Sequence, residues 1–283
     1  MNPYAFRVGY SDPETLNPIH LDATAARYGF AGALVPGVYM YAWMTVPIVA
    51  RWGMDWVDRG RTHAKFVAPF YDGDDAIFTA TPHEDGSLTL IGDCRAGGER
   101  EDSSEREDRG RRCAVGSAIL LDEQPHFVVD DYPTAPLPAH RPMASREAFG
   151  RVLGIVESTY TEASTGSYRR LVHEPSPLYE VEGVVHPADI ARLGNEVLMA
   201  NVKLGPWIHT ETVATHLGRV AVGETVQTRT RVKRLFERKG HELIELDILC
   251  VAIGGASNPA VALRPVMHLA HTAIYRLAEP IAS

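Results

Sequence analysis

The chain is short of cysteine, of positive charge and of long apolar runs, and each shortage removes a class of protein. Its 283 residues include 3 cysteines (Cys94, Cys113 and Cys250), odd in number and without metal-ligand spacing, so neither a disulfide scaffold nor a metal site is expected. All three read as reduced thiols. Cys113 and Cys250 fall in strand-like apolar runs, where buried, inert thiols are common. Lysine and arginine number 28 against 36 aspartates and glutamates, a net charge of −8. That balance argues against a nucleic-acid partner, because phosphate binding needs a concentrated basic face. No stretch approaches the run of about 20 apolar residues that crosses a membrane. The opening MNPYAFRVGYSDPE lacks the basic-then-apolar pattern of a secretory signal, so a cytoplasmic location is expected. What is present, 45% hydrophobic and 23% charged residues, is the composition of a globular protein with a sizeable core.

The pattern of elements occurs twice. Residues 38–52 are apolar on every side and must form a buried helix; Pro36 suits its first turn, and Pro47 should kink it or end its regular part. Strand patterns follow at 62–70, 76–81, 87–91 and 114–120. In the second part they recur at 225–232, 243–249 and 271–276, with Gly-containing turns between them. Gly73-Asp74 before a strand and Glu84-Asp85-Gly86 after it are echoed by Gly223-Glu224 and Arg238-Lys239-Gly240, which suggests an internal duplication. A proline-rich segment at 124–145 divides the chain into 1–123 and 146–283. Residues 97–112 are nearly all charge and read as a solvated loop.

Ahead of the apolar helix stands Asn17-Pro18-Ile19-His20, with Asp22, Ala25-Ala26, Phe30 and Gly37 downstream. In this order they resemble the MaoC-type (R)-specific enoyl-CoA hydratase/dehydratase family, and with the doubled pattern they imply an α+β double hotdog fold, two antiparallel sheets each wrapped on a central helix. The resemblance implies that His20 is a general acid/base, Asn17 its orienter and the Gly37 amide the donor that holds the thioester oxygen. It implies an acyl-CoA or acyl-carrier substrate, no cofactor, and a monomer or a homodimer. The chemistry is consistent with this: imidazole takes and gives protons near neutrality, and a helix N-terminus favours growing negative charge. Asp22 is expected to cap the short helix holding Ala25.

Thr15 stands where the family pattern has a catalytic aspartate, and Pro36 where it has a histidine. A hydroxyl is no base at neutral pH, which leaves three routes: Glu14 supplies the carboxylate, His20 acts alone with Thr15 holding water, or hydration is lost. A hotdog thioesterase using Glu14 and a non-catalytic thioester-binding subunit are the corresponding alternatives. The second part has no Asn-Pro-x-His and too few residues for a second full central helix. His186-Pro187 marks a helix start there, and His209, near Glu211, is either a second site residue or a structural histidine.

Overall fold

The structure, a computed structural model, describes residues 2–10, 15–95, 110–255 and 263–278. In chain order its elements are β1 (Tyr4–Arg7), α1 (Asp22–Arg27), α2 (Gly37–Trp52), α3 (Met54–Arg59), β2 (Gly60–Phe66), β3 (Asp75–Pro82), β4 (Leu88–Arg95) and β5 (Arg111–Leu120). The second part adds β6 (Val152–Leu153), β7 (Glu157–Thr159), α4 (Glu162–Leu171), α5 (Leu178–Val181), α6 (Pro187–Ala191), α7 (Leu193–Asn201), β8 (Ile208–His216), β9 (Glu224–Arg238), β10 (His241–Gly255) and β11 (Arg264–Arg276).

Alternating burial along β3 and β4 gives each strand one core face, as the alternating sequence requires. Outward from the centre of the molecule the order is β2-β5-β4-β3-β1 on one side and β8-β11-β10-β9-β6 on the other. The two sides are joined by antiparallel pairing of β2 with β8, from Arg61 opposite Thr215 to Lys65 opposite Glu211. Both sheets are therefore one continuous eleven-stranded sheet. The paired Gly-acid turns are built alike. Asp74 accepts the Tyr71 N–H at 2.9 Å and pairs with Arg111; Glu224 accepts the Ala221 N–H at 2.7 Å and pairs with Arg264.

The buried helix forms as expected, with Tyr41, Trp43, Met44 and Ile48 fully enclosed. Pro47 does not end it: α2 runs through to Trp52. Packing of α2 against β3, β4 and α6 outweighs the single backbone bond that proline removes. In the matching place before β8 stand two short helices, α6 and α7, which cover 187–201 in place of one long helix. Asp22 does not cap α1. The N-cap residue is Leu21, and Asp22 Oδ1 instead accepts the Ala33 N–H at 2.7 Å, tying down the loop before α2.

The proline-rich segment lies along the second part of the sheet. Tyr132 Oη donates to Asp247 at 2.9 Å, and Arg229 Nη1 donates to the Val129 carbonyl at 3.1 Å. Most of the charged stretch at 97–112 falls outside the described residues, but Arg111 and Arg112 belong to β5, where Arg112 pairs with Asp93. All three cysteines are buried and free. Among the described residues no helix is long and apolar enough to cross a membrane.

Candidate active site

Pro18 fixes a single 3₁₀ turn over Pro18–His20, and Asn17 caps it by accepting the Ile19 N–H at 3.3 Å. The rest of the Asn17 amide reaches across the molecule. Its Nδ2 donates to the Trp207 carbonyl at 2.9 Å, and its Oδ1 accepts the Trp207 N–H at 3.3 Å. One asparagine thus joins the motif to the residue just before β8, in the opposite half, and at 5% exposure it is shielded from competing water.

That network also sets the tautomer of His20. Its Nδ1 lies 2.5 Å from the Leu34 carbonyl, which can only accept, so Nδ1 carries the proton. Nε2 therefore holds the lone pair in the neutral ring, facing the second N–H of Asn17 Nδ2 at 3.2 Å. Asp22 contributes indirectly, because the loop it ties at Ala33 delivers the Leu34 carbonyl.

Gly37 is the first residue of α2, with Pro36 at the N-cap and no side-chain cap. Helical geometry gives a first-turn N–H no partner within the helix. A glycine is required here by close approach: a Cβ at position 37 would lie 2.9 Å from Phe66 Cδ2 and 3.1 Å from His209 Nδ1. Asn17, His20 and Gly37 line one cavity of about 190 Å³, otherwise walled mainly by apolar side chains such as Phe30, Met40, Phe66 and Ile274. A second cavity of about 250 Å³ adjoins it, sharing Asn17, His20, Pro36, Asn195 and Trp207. Thr15 lines only this second cavity; its hydroxyl accepts the Asn17 N–H at 3.3 Å in a local turn. Glu14 lies outside the described residues.

Several lining residues come from the other half and were not singled out by sequence. Asn195 and Glu196 of α7 both face the second cavity, and Arg192 beside them pairs with Glu196 and with Asp189. Gly194, next to them, packs closely: a Cβ there would lie 2.8 Å from the His271 ring. The Asn195 Oδ1, Trp207 Nε1 and His209 Nδ1 atoms are buried without hydrogen-bond partners among the described residues. His209 stacks on His271 with ring centroids 4.1 Å apart, and its Nε2 meets Thr212 Oγ1 at 2.6 Å. Burial, reinforced by His271, pushes its pKa well below the ordinary histidine value. The Glu211 carboxylate points elsewhere, pairing with His63 at 2.7 Å and with Lys65.

Comparison with solved structures identifies the architecture. RV0216 of Mycobacterium tuberculosis, a double hotdog protein, is 16% identical and superposes with a TM-score of 0.53 over 92% of this chain and 88% of its own. The chain folds as a double hotdog. A putative MaoC domain dehydratase from Chloroflexus aurantiacus matches this double hotdog at 13% identity, TM-score 0.53, over 90% of this chain and 86% of that one. A trans-AT PKS dehydratase domain from Brevibacillus brevis matches at 14% identity, TM-score 0.52, over 97% and 93%. No family model matches the sequence, and no curated protein does.

Proposed function

We propose that this double hotdog is a carbon–oxygen lyase that adds water to a 2-enoyl thioester, or removes it from the 3-hydroxyacyl thioester, on coenzyme A or an acyl carrier. The observation that carries the reading is that a histidine with a defined tautomer and an uncapped helix N-terminus line the same largely apolar cavity. His20 is the acid/base, Asn17 its orienter and the Gly37 amide the oxyanion donor.

In the dehydration direction the thioester oxygen accepts the Gly37 N–H, which stabilises the enolate formed when the α-proton leaves. His20 Nε2, already the unprotonated nitrogen, takes that proton. It must give up its contact with Asn17 to do so, and at 3.2 Å that contact is long for a hydrogen bond. The C–O bond then breaks as the C=C bond forms, and the departing hydroxyl takes the proton back from the His20 imidazolium and leaves as water, which restores the neutral ring. The amino-terminal half, proposed as 1–123, carries the motif; the carboxy-terminal half, proposed as 146–283, completes the cavity walls.

The test is hydration of crotonyl-CoA followed by loss of enoyl absorbance. His20→Ala is expected to lower kcat by about 100-fold or more, the usual contribution of a positioned acid/base. Unaltered turnover in that variant would remove the mechanism.

A further inference from the structure

Resting on that reading, we infer that the cavity is built for an oxygenated acyl chain: the Trp207 indole and the Asn195 carboxamide form a subsite for a hydroxyl carried beyond the two reacting carbons. Both side chains line the cavity that holds His20 and Gly37, and both also line the second cavity, so they stand at the neck between the two. Trp207 is 3% exposed and Asn195 8%, yet Trp207 Nε1 and Asn195 Oδ1 have no hydrogen-bond partner among the described residues. Native interiors rarely leave such atoms unsatisfied, because each has given up its water on burial. The other walls are largely apolar, so a ligand in the cavity is the group placed to meet them.

The fold fixes these groups from several sides. The Trp207 backbone exchanges two hydrogen bonds with the Asn17 side chain, at 2.9 and 3.3 Å, and neither uses the indole N–H. Asn195 follows Gly194, which packs so closely on the His271 ring that a Cβ there would lie 2.8 Å from Nδ1. His271 stacks on His209 with centroids 4.1 Å apart. His209 Nδ1 is a third unpartnered atom of the same cavity, 3.1 Å from where a Cβ on Gly37 would lie. Packed rings therefore join α7, which carries Asn195, to the helix start proposed to hold the thioester oxygen.

The two neck atoms together specify the group they bind. An indole N–H can only donate, and an amide oxygen can only accept. A hydroxyl satisfies both at once, accepting from Trp207 and donating to Asn195. A carbonyl or ether oxygen satisfies the first alone, and an alkyl chain satisfies neither. A plain chain would leave both atoms buried and unpaired, and a site of that kind discriminates against the analogue that lacks the hydroxyl. His209 is less selective: its Nε2 lies 2.6 Å from the Thr212 hydroxyl, and Nδ1 donates or accepts according to which of the two supplies that proton. The hydroxyl bound at the neck is distinct from the C3 hydroxyl, which takes its proton from His20, and no bond is made or broken at this subsite.

The experiment compares 2-pentenoyl-CoA with its 4-hydroxy and 5-hydroxy derivatives by kcat/KM, and the matching saturated thioesters by calorimetric binding. A hydroxylated chain is expected to exceed the plain one by about 10- to 100-fold in kcat/KM. Trp207→Phe, which deletes the N–H and keeps an aromatic ring, and Asn195→Leu, apolar and of similar volume, should each cut that preference by about 10-fold. The preference is a ratio measured on one preparation, so a loss of folded protein does not move it. Equal kcat/KM for plain and hydroxylated chains in wild type overturns the subsite and leaves the proposed function standing, as does a preference unaltered in both variants. No turnover of any thioester, with the binding preference intact, overturns the lyase reading alone. No turnover and no binding preference overturns both.

Discussion

The two helix starts of this double hotdog, one in each half, use the same position in opposite ways. At α2 the N-cap is Pro36, no side chain covers the first amides, and Gly37 faces a cavity. At α6 the N-cap is His186, whose Nδ1 accepts the Ala188 N–H at 3.1 Å. Its Nε2 lies 3.1 Å from Glu174, and both side chains are almost wholly buried. The four orphan amides of a helix start attract either a cap or a ligand. One half fills the position with its own histidine and gains stability; the other leaves it open beside His20. The difference shows how a repeated fold can divide labour without changing its topology.

The largest test of that contrast is Gly37→Ala. The added methyl meets the Phe66 ring and His209 Nδ1, an overpacking expected to cost about 1–3 kcal/mol of stability. It also displaces the amide from its proposed oxyanion position, and on that reading kcat for crotonyl-CoA should fall by about 100-fold. Full turnover in this variant would mean the open helix start plays no part in chemistry. His186→Ala should do the reverse. It uncaps α6 and strands Glu174, lowering stability by about 3 kcal/mol in urea unfolding while turnover per folded molecule is unchanged. Loss of turnover without loss of stability would erase the distinction between the two ends.

Acid should act through the histidines beside the open end. Burial lowers the pKa of His271 from 6.5 to about 3, and His209, stacked on it, is lowered in the same direction. Below pH 6.5 the unfolded chain binds protons that the folded chain refuses. The stability that His271 contributes above that pH is therefore lost progressively towards pH 3, by about 1.4 kcal/mol per pH unit, and His209 adds in the same direction. Melting temperatures measured from pH 7.5 to 5 should fall accordingly, and His271→Phe should flatten the curve. An identical curve in that variant would show that these rings are not the acid-sensitive element.

Much of this molecule was legible in the amino-acid order, for local reasons. The all-apolar run at 38–52 has one solution, a buried helix, and it appears as α2. Asn17-Pro18 makes a capped turn that needs no long-range contact to exist. The Gly-acid turns announce hairpins, and the Arg238-Lys239-Gly240 turn holds positive φ at Lys239 and Gly240, as a tight reversal demands. Other features resisted reading. Asp22 has the composition of a cap, yet its carboxylate bonds the loop at Ala33 because folding brings that amide closer than the helix start. His186-Pro187 was visible as a helix start, but a helix broken at Arg192 and carrying Gly194 offers no continuous apolar signature. Asn195 and Glu196 look like ordinary solvated helix positions until α7 packs over the motif turn.

The sequence by itself determined the local parts: the imidazole on its turn, the amide-first glycine of a buried helix, and strands with one apolar face. Only the tertiary structure decided which of these share a cavity. Asn17 and Trp207 are 190 positions apart, and their hydrogen bonds exist only because pairing of β2 with β8 sets the two halves edge to edge. The same assembly sets Asn195 and Glu196 of α7 along a cavity that His20 also lines, where no local pattern could have marked them. Local preference acts over a few residues, whereas a polar group gains its chemical character from the water it loses and the neighbours it meets on burial.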